Sequence, residues 1–446
     1  MNISIIGTGY VGLVSGVCLA EKGHHVTCVD IDKDKVDKIN KAESPIHEKG
    51  LNELLNRNIH KKFSASTDLQ KAVDESDLSI IAVGTPFDGD LIDLAYIRQV
   101  SKDLGRALKS KDGYHVVVVK STVVPGTTDE VVRPLLEKES GKKAGKHFGV
   151  GMNPEFLREG EAVSDFMAPD RIVIGGIDDR TRDVMNRVYS VFDGVDIVKT
   201  NNKTAEMIKY TANSLLATLI SFSNEIGNLC AAIGDVDVVE VMQGVHKDKR
   251  FSPIQPDGER IAPGFLSYLA AGCGFGGSCF PKDVKALIAH GKSTGNAMNL
   301  LDAVIQTNEK QPERVLSILE KHFEVLEGVR VAVLGLAFKP GTDDMRESPA
   351  IPVVNHLMDS GAEVKAYDPV AQKEAEKLFG NERITYFGNL AETIKDTDVI
   401  ILLTSWQEFD ALPAMINGRE PAPLFLDGRR MLAKEQFQRY EGIGLS

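Results

Sequence analysis

The chain has 446 residues, too many for a single hydrophobic core, so two or three domains are expected. A formal net charge of -12 with no Lys/Arg-rich run speaks against a nucleic-acid binder, and no apolar run approaches the roughly 18 residues a bilayer span needs. Five cysteines without a C-x-x-C pair speak against a disulfide framework or a metal site and suit a reducing cytoplasm.

The first predicted element is a buried strand, Ile3–Ile6, with no basic stretch of the kind that opens a signal peptide. It runs into Gly7-Thr-Gly9-Tyr10-Val11-Gly12 and then a helix, and a second strand after Gly23 ends at Asp30. In this order the glycines permit a tight turn, a close approach to a pyrophosphate and close helix–strand packing, with the phosphates at the helix N-terminus. Asp30 is placed to accept the ribose hydroxyls, and its charge would repel a 2′-phosphate, so NAD is expected over NADP. The alternative for the glycines alone is a plain glycine-rich turn.

Two further strands, Leu78–Val83 and Val116–Val119, lead into Val83-Gly-Thr85-Pro86 and Lys120-Ser-Thr122-Val. Hydroxyls at carboxyl ends of parallel strands face ligands or serve only the scaffold. The apolar stretch Phe148–Met152 precedes Asn153-Pro-Glu155-Phe156-Leu157-Arg-Glu159-Gly160, where Glu155 is either a general base or a helix N-terminal acid.

From Thr204 to Ala232 apolar residues recur at helical spacing without a proline, predicting a long helix that serves as a dimer face or as a core element. Lys209 and Asn213 share one face of it, as an oxyanion-stabilising pair or as a solvated face. Residues 246–265 read as an ordered loop, and a helical stretch over 281–322 leads to a linker at 326–328. Before that stretch, Cys279 stands in Gly274-Phe275-Gly276-Gly-Ser-Cys279-Phe-Pro-Lys-Asp283. A cysteine at a helix N-terminus has an enriched thiolate. Cys18, Cys28, Cys230 and Cys273 lack such a setting and read as structural.

Residues 329–369 repeat the opening pattern of strand, glycine, helix, strand and acid (Asp368), and both halves later carry an Asp followed by a buried strand. The predicted fold is therefore α/β, with two Rossmann-like doubly wound parallel-sheet domains joined by a helical central domain with a long helix. The expected boundaries are 1–200, 201–326 and 327–446. Gly335-Leu-Ala-Phe338-Lys339 lacks the later glycines of the fingerprint, so a second dinucleotide site is not expected there.

Taken together, these motifs resemble the UDP-glucose/GDP-mannose dehydrogenase family along essentially the whole chain. The resemblance rests on G-T-G-Y-V-G, V-G-T-P at 83–86, S-T-V at 121–123, N-P-E-F-L-R-E-G at 153–160 and A-E-M-I-K-Y at 205–210 with Asn213. It continues through F-G-G-S-C-F-P-K-D at 275–283 and A-F-K-P-G-T-D-D-M-R-E-S-P at 337–349. It implies a four-electron oxidation of a nucleotide sugar's C6 alcohol to the uronate, with two NAD molecules reduced. Cys279 would capture the aldehyde and become a thioester. Lys209 and Asn213 would stabilise oxyanions, Asp283 and Thr122 would hold the water, and Glu155 would assist proton transfer.

The resemblance implies cofactor contacts at the glycine loop with Tyr10 and Val11, and at Asp30, Lys35, Thr85, Thr122, Glu159 and Arg346. Substrate contacts are implied at Glu155, Phe156, Leu157, Lys209 and Asn213, and at Arg260, Phe275, Gly276, Phe338, Lys339 and Arg429. UDP-glucose is the first-choice substrate, before GDP-mannose and a UDP-N-acetylhexosamine, and a homodimer or larger homo-oligomer is expected. The stretch from Val245 to Cys279 is longer than in the UDP-glucose enzymes, and Lys282-Asp-Val-Lys-Ala-Leu287 is similar to the GDP-mannose branch. Sugar specificity thus stays open, as does whether Arg260 serves its own subunit. A two-electron hydroxyacid or 6-phosphogluconate type of dehydrogenase would need no nucleophilic cysteine, and a nucleotide sensor would need no catalytic set.

Overall fold

Short runs of β-branched residues bounded by turns dictate most of the architecture. His115-Val-Val-Val-Val119 and Val399-Ile-Ile-Leu402 are buried at every position, as strands covered on both faces must be. A computed structural model, which describes residues 1–89 and 91–445, shows an α/β fold with a Rossmann-like sheet at each end of the chain and a central region containing a long helix. By packing, the chain falls into two units, Met1–Ala212 and Asn213–Ser446.

In the first unit the strands are β1 (Asn2–Ile6), β2 (His25–Val29), β3 (Phe63–Ser66), β4 (Leu78–Ile81), β5 (His115–Val119), β6 (Phe148–Met152), β7 (Arg171–Gly176) and β8 (Asp196–Thr200). They pair in the order β3-β2-β1-β4-β5-β6-β7-β8, all parallel except β6 with β7. The order reverses between β1 and β4, the place where open α/β sheets take ligands. The helix Tyr10–Glu21 leaves β1 there and is buried continuously from Gly12 to Ala20, because it packs under Leu51, Leu55 and Phe166 as well as on the sheet.

In the second unit β9 (Arg330–Leu334), β10 (Glu363–Tyr367), β11 (Ile384–Tyr386), β12 (Val399–Leu402), β13 (Leu424–Asp427) and β14 (Tyr440–Gly442) form a wholly parallel sheet, ordered β11-β10-β9-β12-β13-β14. The internal repeat is thus a repeat of topology, with the reversal now between β9 and β12. Helical residues Cys230, Val238, Met242, Val315 and Leu319 share one core with Val331, Val333 and Leu357. The helical stretch from 213 onward is therefore packed onto the C-terminal sheet.

Two expectations need correction. The helical stretch at 281–322 is two helices, Phe280–Ser293 and Asn299–Glu320. Gly295, in the left-handed region at φ 76°, lets the first helix end and the chain turn. The helix Asn202–Ile233 is also long and apolar enough, by length and composition, to cross a membrane, with a mean hydropathy of 1.2 over its best 18 residues. Counting uninterrupted apolar runs missed this, because small polar residues break the run without lowering the average much. The same helix buries Glu206, Lys209, Asn213 and Asn224, which suits a helix packed in protein.

Candidate active site

The glycine loop has the shape that a dinucleotide pyrophosphate requires. Gly7 lies at φ 104° and donates to the Val29 carbonyl at 2.8 Å. A Cβ on Gly12 would sit 1.9 Å from the Gly7 carbonyl oxygen, so helix and strand touch there. A Cβ on Gly9 would meet nothing within 4 Å, and Gly9 caps the helix with the backbone amides behind it. That open, amide-lined approach fits a bound phosphate. Val11 occupies the first turn, partly exposed.

Asp30 accepts from the Thr8 amide at 2.8 Å, the Thr8 hydroxyl at 2.6 Å and the Asp32 amide at 3.0 Å. Burial opposes its ionisation, but these bonds and the charge of Lys35 outweigh burial and hold the carboxyl below its usual range. The residue therefore steadies the loop and keeps the negative charge that a ribose diol would meet. Its counterpart in the C-terminal sheet differs. Asp368 is buried and accepts from Leu336, Ala337, Val370 and Ala371 amides and from the Trp406 indole. Five donors saturate that carboxylate, and Leu336 and Ala337 fill the positions where a dinucleotide loop has space.

Tyr10, implied as a cofactor contact by the resemblance, is also bonded to neighbouring protein groups. Its hydroxyl donates to Glu48 and accepts from the Gly160 amide at 2.9 Å, while Glu48 also accepts from Gly160 at 2.8 Å. Glu48 thus ties the glycine loop to the segment carrying Glu155 and Glu159. Thr85 donates to the Thr122 carbonyl at 2.7 Å and Ser121 to the Val83 carbonyl at 2.7 Å, stitching the ends of β4 and β5 together.

Beyond β6, Glu155 and Lys209 form a buried ion pair at 3.1 Å. The other Glu155 oxygen accepts from the Leu157 amide at 2.6 Å. Burial would raise the Glu155 carboxyl, but Lys209, the Leu157 amide and Lys120 together pull it below its usual range. The Lys209 ammonium also lies 5.6 Å from the Phe156 ring centre. The sequence motifs did not single out Lys120 as a charged member of this group, because its partners are remote in the chain.

In the second unit Cys279 occupies the N-cap position of the helix Phe280–Ser293, with Pro281 in the first turn. It is the one cysteine of five that is not buried. Burial pushes the Cys18 thiol up to about 12 and raises Cys28 and Cys273 as well, so those three are poor nucleophiles. Asp283, buried one turn on, donates its amide to the Cys279 carbonyl at 2.8 Å. Its carboxylate accepts from Asn213 at 2.7 Å and pairs with Lys282 at 2.6 Å.

The loop before the cysteine is built for close packing. A Cβ on Gly276 would lie 2.1 Å from the Glu347 carbonyl oxygen, and the Gly277 amide donates to the Arg346 carbonyl at 2.8 Å. Asn308 brackets Phe275 with two bonds of 2.8 and 2.9 Å. Phe338 packs on Gly277, and the Lys339 ammonium lies 5.6 Å from its ring centre. Arg346 pairs with Asp344 at 2.8 Å. Arg429 donates to the carbonyls of Leu403 and Gly274 at 2.7 Å each and of Phe338 at 3.4 Å, so it clamps the cysteine loop and retains two further N–H groups. Arg260 lies exposed in the 246–265 loop and donates to the Lys247 and Ser252 carbonyls at 2.7 and 2.8 Å.

A dinucleotide cradle, a buried Glu–Lys pair and an accessible cysteine at a helix N-terminus define an NAD-dependent oxidoreductase. Comparison with known proteins narrows this. The NAD binding domain of the UDP-glucose/GDP-mannose dehydrogenase family matches residues 1–193, the central domain 203–310 and the UDP binding domain 332–434. The UDP-glucose 6-dehydrogenase of Haloferax volcanii is 41% identical over 99% of this chain and 100% of its own length. The GDP-mannose 6-dehydrogenase of Pseudomonas putida is 41% identical over 92% of this chain and 93% of its own. A UDP-glucose dehydrogenase structure from Pyrobaculum islandicum is 37% identical, covers 100% of this chain and 98% of its own, and superposes with a TM-score of 0.89.

The chain belongs to the UDP-glucose/GDP-mannose dehydrogenase family. Its reaction is the NAD-dependent oxidation of a nucleotide sugar at the C6 alcohol by way of a thioester.

Proposed function

We propose that the substrate is UDP-glucose and the product UDP-glucuronate, formed with two NAD reduced per sugar. The observation that carries this choice is the two-way, end-to-end similarity to a UDP-glucose 6-dehydrogenase, supported by the TM-score of 0.89 with another. The GDP-mannose relative, equally identical over a slightly smaller span, supplies the competing reading.

The chemistry assigned to each residue follows from its surroundings. NAD, when bound, takes up hydride from the sugar's C6. Glu155, ionised and held by Lys209 and the Leu157 amide, assists removal of the hydroxyl proton. The Cys279 sulfur then attacks the aldehyde carbon, forming a C–S bond while the carbonyl oxygen becomes an oxyanion. Lys209 and Asn213, one turn apart on the long helix, steady that oxygen, since Asn213 commits only one of its amide hydrogens to Asp283. Loss of a second hydride, to the second NAD, leaves the thioester. Water oriented by Asp283 and Thr122 breaks the C–S bond, giving the carboxylate and returning the thiolate.

The remaining assignments complete the proposal. The cofactor meets Gly7, Gly9, Gly12, Asp30, Lys35, Thr85, Glu159 and Arg346, while Phe275, Phe338, Lys339, Arg429 and Arg260 serve the nucleotide sugar. Boundaries at 200/201 and 326/327 separate the parts binding NAD, carrying the cysteine and binding the nucleotide. The enzyme acts in the cytoplasm as at least a dimer. Leu215, Phe222 and Leu229 recur every seven residues on the long helix and are each at least half exposed, an apolar ridge suited to a two-fold contact.

The test is turnover on a panel of nucleotide sugars, followed as NADH at 340 nm. UDP-glucose should give the highest kcat/KM and two NADH per sugar. A higher value for GDP-mannose or a UDP-N-acetylhexosamine overturns the choice of sugar, and one NADH per sugar overturns the reaction.

A further inference from the structure

One buried charge in the N-terminal unit has no part in the reaction as assigned. Lys120, just past β5, is 4% exposed, and its ammonium donates to the Asn153 side-chain oxygen at 2.9 Å. The orientation of that amide is fixed, because its nitrogen donates to the Val173 carbonyl at 2.8 Å and its oxygen also accepts from the Tyr189 hydroxyl. The titratable groups facing Lys120 are Glu155 after β6, Lys209 on the long helix and, through Asn153, Tyr189 at the end of the helix Asp179–Tyr189. Tyr189 is neutral, since burial raises its hydroxyl further above the ordinary value. The Phe166 ring centre lies 5.8 Å away.

Among the described residues no carboxylate lies within ion-pair distance of Lys120, whose ammonium bonds to an amide oxygen. Two buried ammonium groups share one buried carboxylate, and Glu155 sits 3.1 Å from Lys209. A buried cation whose direct partner is a neutral amide is costly. Asn153 and Phe166 only partly offset that cost. The cost becomes intelligible if the Lys120 charge is used when an anion forms nearby.

We propose that Lys120 is a positioning residue of the reaction site: its ammonium shares the Glu155 charge with Lys209, and so leaves Lys209 electropositive toward the oxyanion that forms on the sugar carbon. This rests on the roles given above to Glu155 and Lys209. When Lys120 loses its proton, Glu155 and Lys209 become a neutral pair and the pull on the oxyanion weakens. Burial pushes the Lys120 ammonium down to about 8, with Glu155 opposing the shift and Lys209 adding to it, so this loss falls within reach of ordinary assays.

The experiment is the pH dependence of kcat/KM for wild type, Lys120→Arg and Lys120→Gln, with melting temperatures to confirm folding. The wild type should lose activity on a limb near pH 8. Arginine cannot deprotonate in this range, so Lys120→Arg should move the limb upward by about one pH unit or more. Lys120→Gln should lower kcat on the order of tenfold at neutral pH, less than the roughly 10²–10³ lost with a direct oxyanion donor, and should abolish this limb. A limb that stays in place in Lys120→Arg, or wild-type turnover in Lys120→Gln, overturns the inference. If neither variant folds, Asn153→Asp sets a carboxylate against Lys120 and should raise the limb; an unmoved limb overturns the inference equally. Wild-type turnover in Glu155→Gln would instead sink the parent assignment, wherever the limb lies.

Discussion

Replacing Asp30 by alanine separates two tasks that its carboxylate performs at once. In the free protein it accepts three hydrogen bonds, two from Thr8 and one from Asp32, so its loss strands the buried Thr8 groups. An unsatisfied buried donor costs about 1–3 kcal/mol, which predicts a lower melting temperature. Charge-assisted bonds to a ribose diol add about 1–3 kcal/mol to NAD binding, which predicts a Kd for NAD raised about 5- to 150-fold. Discrimination against NADP should fall too, since the charge that repels a 2′-phosphate is gone. Thr8→Val is the control: it removes the 2.6 Å hydroxyl bond but leaves the carboxylate for the ribose. It should destabilise the loop while changing NAD binding far less. Calorimetric titration of both cofactors into both variants is the assay. If Asp30→Ala lowered the melting temperature yet left both cofactor affinities at wild-type values, Asp30 would belong to the loop alone and the ribose assignment would be wrong.

Glu155→Gln should lower turnover by roughly 10²–10⁴ and destabilise the protein, because the buried Lys209 ammonium loses the Glu155 carboxylate; rates within about threefold of wild type would place Glu155 outside the chemistry. Gly276→Ala should cut activity and stability together, as its methyl group would lie 2.1 Å from the Glu347 carbonyl oxygen; an unchanged melting temperature would show that the loop gives way easily. His115 is buried among Ser76 and Ser79, and burial lowers it to about 4 from 6.5. Its neutral form therefore supports the fold fully above the unfolded value of 6.5, and that support is lost as pH falls toward 4. Urea titrations should show about 2 kcal/mol less stability at pH 5 than at pH 7.5 from this residue, and His115→Gln should shrink that difference; an equal difference in the variant would contradict the assignment. Leu215→Glu combined with Phe222→Glu should give monomers by sedimentation, and an oligomer unaffected by both would move the interface elsewhere.

What was legible in the sequence was local. The glycine fingerprint with Asp30 and the glycine-rich run before Cys279 each lie within a few turns of chain, where residue type and spacing dictate backbone geometry. The repeat was legible because both sheets need the same buried runs after an Asp, at Leu78–Ile81 as at Val399–Leu402. Non-local contacts were not. Glu48 stands in a loop without any motif, yet it joins Tyr10 to Gly160, and Lys120 finds its acceptor on Asn153 across neighbouring strands. The resemblance implied Arg429 as a substrate contact, but that three of its donors also hold backbone carbonyls was not legible, because Gly274 and Phe338 lie far away in the chain. The break after Ser293 was missed because Gly295 and Asn296 interrupt a helical pattern only weakly on paper, while the positive φ at Gly295 ends the helix outright.

The central claim is that the sugar passes through a covalent bond to Cys279, and acid-quenched enzyme tests it most directly. During steady-state turnover with UDP-glucose and NAD, the protein is denatured in acid, digested and weighed by mass spectrometry. An adduct with the mass of the UDP-uronyl group should appear on the peptide containing Cys279 and on no peptide carrying Cys18, Cys28, Cys230 or Cys273. It should vanish in Cys279→Ser, whose hydroxyl is hard to ionise near neutral pH, along with the production of two NADH per sugar. Wild-type turnover in Cys279→Ser, or an adduct on another residue, would contradict the thioester at Cys279.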